Sequence, residues 1–246
     1  MRPNTVRNYS ERYERNIKGV IGNKLLTDVK PIHCQKIFSD MADEGYKTTT
    51  IYQTRIALYN MFEFARENDV LIANPCKKSL KSDMGKPSDK KEALAIDVQK
   101  KFLEAVVGYS YENQYRFVLQ TGLRTGELIG LKWSDIDFES RTMKIERTME
   151  WKDIVFLCRK GTPVKNSTYD TGLFKYCDRV GIPRFSMHVL RHTFATRCIE
   201  GGMKPKTLQK ILGHSNIGIT MNLYVHITED EKHREIDLVA DALKVV

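Results

Sequence analysis

Apolar residues recur at spacings of three and four along residues 1–76, which is typical of amphipathic helices. Three helices are predicted there: one capped by Thr5, one over residues 31–44, and one capped by Thr48 or Thr49. Their inward positions are Val6, Tyr9, Tyr13, Ile17 and Val20 in the first, Ile32, Ile37 and Met41 in the second, and Ile51, Leu58, Phe62 and Ala65 in the third. Strand-like alternation is missing from this part of the sequence, so we expect a small helical bundle.

Residues 93–246 combine helical spacing with a short alternating stretch. The predicted helical segments are 93–107, 111–120 and most of the chain from Phe174 onward. Over residues 133–147, apolar and polar residues alternate on either side of a turn, which predicts a strand pair, and residues 154–157 are a further candidate strand. The predicted fold class is therefore mainly α with a small β-sheet, an α+β architecture, in two domains over 1–76 and 93–246.

A basic, polar stretch separates these two domains. Residues 77–92 hold six lysines and three acidic residues without a sustained apolar period, so we interpret them as a linker. The whole chain carries 40 Lys+Arg against 31 Asp+Glu, a net charge of +9, which suits a polyanionic partner but leaves other roles equally open. The candidate contacts to DNA phosphates are Lys77, Lys78, Lys81, Lys86 and Arg55.

Several classes of protein and of site are disfavoured by what the sequence lacks. Apolar runs fall short of the roughly 18 residues of a membrane span, and arginines interrupt the start where a signal peptide would lie. Nucleotide-binding glycine motifs, a GxSxG elbow and an HExxH zinc motif are missing, so we expect neither a cofactor nor a metal. Five widely spaced cysteines indicate reduced thiols in a cytoplasmic protein: Cys34, Cys76, Cys158, Cys177 and Cys198.

Charged and nucleophilic side chains stand in four short segments of the second domain. His188 and Arg191 are three apart on a predicted helix, so they share one face. Arg124 stands in a turn just before a predicted helix, and His214 follows a short helix that a glycine stops. Tyr224 comes ten residues after His214.

This combination of side chains suits phosphoryl transfer to a tyrosine. Two arginines clamp phosphate oxygens, histidines donate hydrogen bonds or move protons, and a tyrosine hydroxyl attacks phosphorus. Any one of these residues alone is more often structural, because a tyrosine on an amphipathic helix usually packs and an arginine in a turn usually faces water. Only the ordered set favours catalysis.

The ordered set resembles the signature of the tyrosine recombinases, the phage integrase family. Its GLRxxE, HxxR and LGH motifs match residues 122–127, 188–191 and 212–214, and Tyr224 follows them in the expected order. The sequence around the motifs is most similar to that of integrases of conjugative transposons and phages of Gram-positive bacteria. The resemblance covers nearly the whole chain, with 1–76 as a helical core-binding (SAM-like) DNA-binding domain and 93–246 as the catalytic domain.

The resemblance also implies a mechanism and partners. Tyr224 forms a 3′-phosphotyrosyl link and releases a 5′-hydroxyl, while Arg124, Arg191, His188 and His214 assist at the phosphate. Glu127 supports the site by orienting a neighbour. The implied partners are double-stranded DNA and three further copies of the chain, a homo-tetramer on paired sites, without a metal or cofactor.

The sequence departs from the family pattern between Arg124 and His188. Relatives carry a lysine in the turn of a β-hairpin as general acid, and here the stretch is shorter, as if part of the hairpin were deleted. Lys152 is the nearby substitute. An active recombinase and a truncated remnant that binds recombination-site DNA without efficient cleavage both remain open, whereas the motifs disfavour a basic helical regulator of other ancestry.

The end of the chain predicts one more helix. Thr228 opens a capping-box pattern, and an apolar stripe follows over residues 236–243. The stripe either folds back on its own domain or, as in the recombinases that this chain resembles, docks on a neighbouring protomer.

Overall fold

The computed structural model describes residues 3–77, 84–88, 92–145, 154–158 and 161–227. The chain divides into two compact units, Met1–Lys90 and Lys91–Val246. The first unit contains α1 (Pro3–Arg12), a π-helical turn (Tyr13–Ile17), α2 (Lys18–Ile21), a 3-10 turn (Leu26–Asp28), α3 (Pro31–Asp43) and α4 (Thr48–Glu67). The second contains α5 (Ile96–Ala105), α6 (Glu112–Thr121), α7 (Thr125–Gly130), a 3-10 turn (Trp133–Asp135), β1 (Ile136–Asp137), β2 (Thr142–Met143), α8 (Asn166–Val180), α9 (Met187–Glu200), α10 (Pro205–Leu212) and α11 (Ile217–Ile227). The predicted class, mainly α with a small sheet, is confirmed.

The core of the first unit lies between α3, α4 and the π-helical turn. The predicted inward face of α4 is confirmed, since Ile51, Leu58, Phe62 and Ala65 are all buried. On α3, Ile37 and Met41 are buried as predicted.

The prediction for Ile32 was wrong, because 62% of this residue is exposed. Ile32 precedes Ile37 by five residues, which places it roughly 140° away around the helix.

The amino-terminal helix also differs from the prediction. It begins at Pro3 rather than after a Thr5 cap, and it changes to a π-helical turn over Tyr13–Ile17. A π turn holds an extra residue and shifts the register by about 100°. Val6 and Ile17 consequently do not share the predicted inward face, since Val6 is 48% exposed and Ile17 is 2% exposed.

Part of the predicted linker pairs with the first unit. The Lys86 amide donates to the Tyr46 carbonyl (3.0 Å), and the Thr48 amide donates to the Lys86 carbonyl (2.9 Å). The Ser88 hydroxyl donates to that of Thr49 (2.8 Å), and Met84 packs against the core. Residues 84–88 thus continue the first unit, while a linker over the whole of 77–92 stays a prediction.

The core of the second unit is built by α5, α6, α8 and α9. Phe102, Tyr115, Leu173 and Leu190 are fully buried there, and α6 packs along α9. This packing fixes the end of α6, which leads into Arg124, against α9, which carries Arg191. Among the described residues, we find no helix long and apolar enough to cross a membrane.

The small sheet is shorter than predicted. β1 and β2 pair antiparallel with Ile136 opposite Met143, which confirms the predicted strand pair. The prediction of a strand over 154–157 was wrong: Ile154 bridges to Lys132, whereas Leu157 bridges to Pro163. A continuous strand needs one partner along its length, and these two residues have different partners.

Candidate active site

Arg124 stands at a helix start that positions its side chain. Gly122 ends α6 in the left-handed conformation, and Arg124 is the extended residue just before α7. Its guanidinium donates from Nη1 to Glu127 Oε1 (2.7 Å), and its own amide donates to Glu127 Oε2 (2.8 Å). Nη2 donates to the Gly213 carbonyl (3.1 Å). Glu127 and the end of α10 together fix a guanidinium whose side chain stays 39% exposed.

Arg191 is the buried member of the arginine pair, with 5% of the residue exposed. On α9, its Nη1 donates to the Gly122 carbonyl (2.8 Å) and its Nη2 to the Leu212 carbonyl (2.6 Å). Glu127 Oε2 lies 3.7 Å from Nη1. Burial and the nearby charge of Arg124 lower the pKa of Arg191 to about 10, so the group is still a cation at neutral pH.

Gly122 permits this arrangement, and its replacement has a predictable cost. Its φ is +66°, and a Cβ there would overlap Phe194 Cδ1 and lie 3.0 Å from Leu212 Cδ2. We expect Gly122→Ala to lower the free energy of unfolding by about 2 kcal/mol, from overpacking and backbone strain. For a unit of this size that lowers the melting temperature by roughly 4–8 °C.

Gly126→Ala is the matched control for that measurement. Gly126 lies inside α7, and a Cβ there meets no atom within 4 Å, so its replacement should be neutral or slightly stabilising. Equal melting temperatures for the two variants would contradict the strain argument.

His214 joins the arginines from the far end of α10. Gly213, with φ +59°, ends this helix as predicted, and Gln209 brackets His214 by bonding both its amide and its carbonyl. The ring Nδ1 lies 2.9 Å from the hydroxyl of Thr220 on α11. Burial lowers the pKa of His214 first, and the charges of Arg191, Arg124 and His188 lower it further. The imidazole is therefore neutral at pH 7.

His188 and Arg191 share α9 as predicted, but the two side chains differ in environment. His188 is exposed, one turn before the buried Arg191, and its charge acts on the pKa of His214. The histidines and arginines thus form one cluster whose net charge is positive even with Glu127 included. Such a cluster suits an anion with several oxygens.

Tyr224 lies on α11, one turn after Thr220. Its hydroxyl donates to the main-chain carbonyl of Met203, and its ring packs against the buried residues of α9 and α10. Burial raises the pKa of the hydroxyl. The contacts therefore bring together Arg124, Glu127, Arg191, His188 and His214, while they place the Tyr224 hydroxyl on Met203.

The other predicted site residues belong to the first unit or lie outside the described residues. Lys152, Lys78, Lys81 and the helix predicted after Thr228 are not among the described residues. In the first unit, the side chains of Lys77 and Lys86 are exposed, and Arg55 on α4 is half-buried with an unbonded Nε. Among the described residues, we find no group of three or more His, Cys, Asp or Glu arranged to hold a metal ion.

Sequence reasoning missed the groups that hold the cluster. Three are main-chain carbonyls, of Gly122, Leu212 and Gly213, and no residue type identifies a carbonyl acceptor. The fourth is Thr220, a polar residue that is fully buried on α11. Its spacing of four from Tyr224 is the one sequence signal that could have identified it, because such residues share a helix face.

Comparison with known sequences identifies the family. The family model described as "Phage integrase family" matches residues 94–153 and 148–231, more than half of the chain. The chain belongs to the phage integrase family. A second model, "Phage integrase, N-terminal SAM-like domain", matches residues 1–42 of this integrase.

Two relatives and one solved structure illustrate the similarity. A XerC-like tyrosine recombinase of Caldanaerobacter subterraneus subsp. tengcongensis is 26% identical over 307 aligned positions, covering 98% of this chain and 78% of the relative. The transposase from transposon Tn916 of Enterococcus faecalis is 27% identical, covering 89% and 68%. The Tn1549 transposon integrase, solved with circular intermediate DNA, superposes with a TM-score of 0.81 at 23% identity over 96% of this chain and 94% of that one. The fold is thus that of a transposon integrase, as the sequence resemblance implied.

Proposed function

We propose that this integrase is a site-specific DNA recombinase that breaks and rejoins strands through a 3′-phosphotyrosyl intermediate. The observation that carries the proposal is the pair of guanidinium groups, Arg124 and Arg191, that Glu127 and three main-chain carbonyls hold beside His214. Preorganised donors of this kind stabilise negative charge on phosphate oxygens as it develops during transfer.

In the proposed cleavage step, the oxygen of Tyr224 attacks the scissile phosphorus. The new phosphorus–oxygen bond forms as the bond to the 5′ oxygen of the next nucleotide breaks, and that oxygen leaves with a proton as a 5′-hydroxyl. Rejoining reverses the step with the 5′-hydroxyl of the partner strand. One ester replaces another each time, so the reaction needs no energy-supplying cofactor.

The remaining site residues serve charge and proton transfer in this scheme. Arg124 and Arg191 bind the non-bridging oxygens, and His188 and His214 donate hydrogen bonds or move protons. Tyr224 must leave the Met203 carbonyl to reach phosphorus, so α11 moves or DNA binding displaces the hydroxyl. Lys152 is proposed to protonate the 5′ leaving group.

A binding-only remnant is the second candidate, and two observations favour it. The family model matches in two segments that meet at residues 148–153, where the sequence suggested a deletion. The alignment with the XerC-like recombinase spans 307 positions, more than the 246 residues of this chain, so the relative has residues without a counterpart here. Loss of hairpin residues would remove the general acid and slow cleavage.

The domain and partner assignments complete the proposal. Residues 1–76 are proposed to bind core DNA, 77–92 to link the domains along the phosphates, and 93–246 to catalyse in the cytoplasm. Exchange between two duplexes cuts four strands, and each chain carries one Tyr224. We therefore propose that the working assembly is a homo-tetramer on paired double-stranded DNA sites.

A suicide-substrate experiment tests the function. Nicked duplexes tiled across the DNA that flanks the coding sequence are incubated with the full chain, and cleavage near the nick lets the short 5′-hydroxyl strand diffuse away. An active recombinase leaves a DNA-linked protein on a denaturing gel, and peptide mapping places the DNA on Tyr224. A duplex that shifts on a native gel without yielding an adduct would favour the remnant instead.

A charge-removal experiment tests the role of the linker region. We expect replacement of Lys77, Lys78, Lys81 and Lys86 by Gln to weaken binding similarly for all DNA sequences. The slope of log affinity against log salt should fall by about three to four, because each lost phosphate contact contributes roughly 0.9. Fluorescence anisotropy from 50 to 300 mM salt measures the DNA affinity and its dependence on salt. The control variant carries Arg at the same four positions, which keeps the charge, and it should keep the original slope. An unchanged slope in the Gln variant would show that these four lysines do not contact phosphates.

A further inference from the structure

Thr220 is placed to control the imidazole of His214. Its hydroxyl lies 2.9 Å from His214 Nδ1, and none of the residue's surface is exposed. A buried hydroxyl keeps its hydrogen bond because it has no water to replace it. The contact is thus a fixed part of the site.

The main chain at His214 is held as well. Gln209 accepts a hydrogen bond from the His214 amide (3.1 Å) and donates one to the His214 carbonyl (3.1 Å). With the backbone pinned, rotation of the ring is the remaining freedom of this residue. A partner at Nδ1 removes that freedom and leaves Nε2 as the nitrogen that can face a substrate.

We propose that Thr220 is a positioning residue for strand transfer: its hydroxyl donates to Nδ1 of His214, so that Nε2 carries the proton and donates to a phosphate oxygen. This rests on the proposed function of the arginine and histidine cluster. The direction of the hydrogen bond follows from the surroundings of the ring. Arg191 and His188 on α9 and Arg124 at the start of α7 all oppose a charged imidazole, so His214 is neutral and has a single proton to place. Phosphate oxygens accept hydrogen bonds, and a donor at Nε2 meets that need.

Thr220 also connects two catalytic groups. It stands on α11 one turn before Tyr224, so the helix that carries the nucleophile also sets the histidine.

The test uses the full chain and three variants. Thr220→Val keeps the shape and removes the hydroxyl, Thr220→Ser keeps the hydroxyl, and Thr171→Val on the exposed face of α8 is the matched control. Single-turnover adduct formation on a suicide duplex, DNA affinity and melting temperature are measured for each. We expect Thr220→Val to slow cleavage by about tenfold with DNA affinity unchanged, Thr220→Ser to recover most of the rate, and Thr171→Val to match the parent.

The pH titration of His214 separates positioning from simple structural support. A donor at Nδ1 stabilises the neutral ring, so its loss raises the pKa of His214, and the titration curve of the ring, followed by nitrogen NMR, moves to higher pH in Thr220→Val. A shift to lower pH would mean that Nδ1 donates to Thr220 and would overturn the proposal. An unshifted titration curve with a slower cleavage rate would also overturn it, since the effect would then be structural.

Nitrogen NMR of the labelled chain gives a readout that does not depend on cleavage. His214→Gln identifies the resonances, and the parent should show an unprotonated Nδ1 and a protonated Nε2, with both tautomers present in Thr220→Val. The opposite tautomer in the parent overturns the hydrogen-bond direction even if Thr220→Val does not fold. A chain that shows the expected tautomer but cleaves none of the tiled duplexes would instead contradict the proposed recombinase.

Discussion

Tyr224→Phe is expected to bind DNA with the affinity of the parent chain and to form no covalent adduct. Phenylalanine keeps the ring that packs against the buried residues of α9 and α10, but it lacks the oxygen that attacks phosphorus. The lost hydrogen bond to the Met203 carbonyl should lower the free energy of unfolding by about 1 kcal/mol. Denaturing gels measure the adduct, native gels the binding, and thermal melts the stability.

Tyr109→Phe is the control for this result. Tyr109 lies on the same unit, 53% exposed, and packs against Tyr176 away from the arginine cluster, so its variant should cleave normally. An adduct that persists in Tyr224→Phe would show that another residue is the nucleophile.

We expect Arg191→Ala and Arg124→Ala to slow cleavage equally. We expect Arg191→Ala to lower the free energy of unfolding more than Arg124→Ala does. Each removes a cationic donor from the phosphate, which lowers the cleavage rate by about 10²–10³-fold. Arg191→Ala also leaves the carbonyls of Gly122 and Leu212 buried without a donor, at a cost of about 1–3 kcal/mol each. Arg124 is 39% exposed, so water can replace its hydrogen bonds.

Adduct formation rates and chemical denaturation of the same samples separate the two effects. Arg184→Ala provides the comparison, since this exposed arginine pairs with Asp178 on the surface, and its removal should change the free energy of unfolding by about 1 kcal/mol or less and leave the cleavage rate unchanged. The structure indicates that burial makes Arg191 more important for stability than Arg124. Equal destabilisation by Arg124→Ala and Arg191→Ala would contradict this.

Local patterns predicted the elements that carry the site. The sequence predicted a helix that carries His188 and Arg191, now α9, and a glycine stop before His214, now the end of α10, because helix period and helix ends depend on neighbouring residues. The same kind of reasoning failed at Tyr13–Ile17, where an extra residue in a π turn rotates the face. A spacing rule assumes 3.6 residues per turn and cannot detect such an insertion.

The arrangement inside the site was predictable only in part. The motifs selected Arg124, Arg191 and His214, but the burial of Arg191 beside an exposed His188 depends on how α9 packs against α6 and α10. Residues three apart on a helix differ by about 60° around the axis, which is enough to separate a core position from a surface one. The contact of Thr220 with His214 likewise forms only when α11 packs against α10 and α9. The helix propensities of the residues do not predict such a contact.

Main-chain oxygens hold both guanidinium groups, so substitutions around the site have unequal effects. A substitution of the buried Leu212 leaves its carbonyl in place, so it affects the packing of the side chain alone. The acceptors move only when the backbone moves, and Gly122 and Gly213 set that backbone with their positive φ angles. The two arginines therefore depend on these two turns and on Glu127, whose carboxylate contacts both guanidinium groups, more than on the side chains at the carbonyl positions.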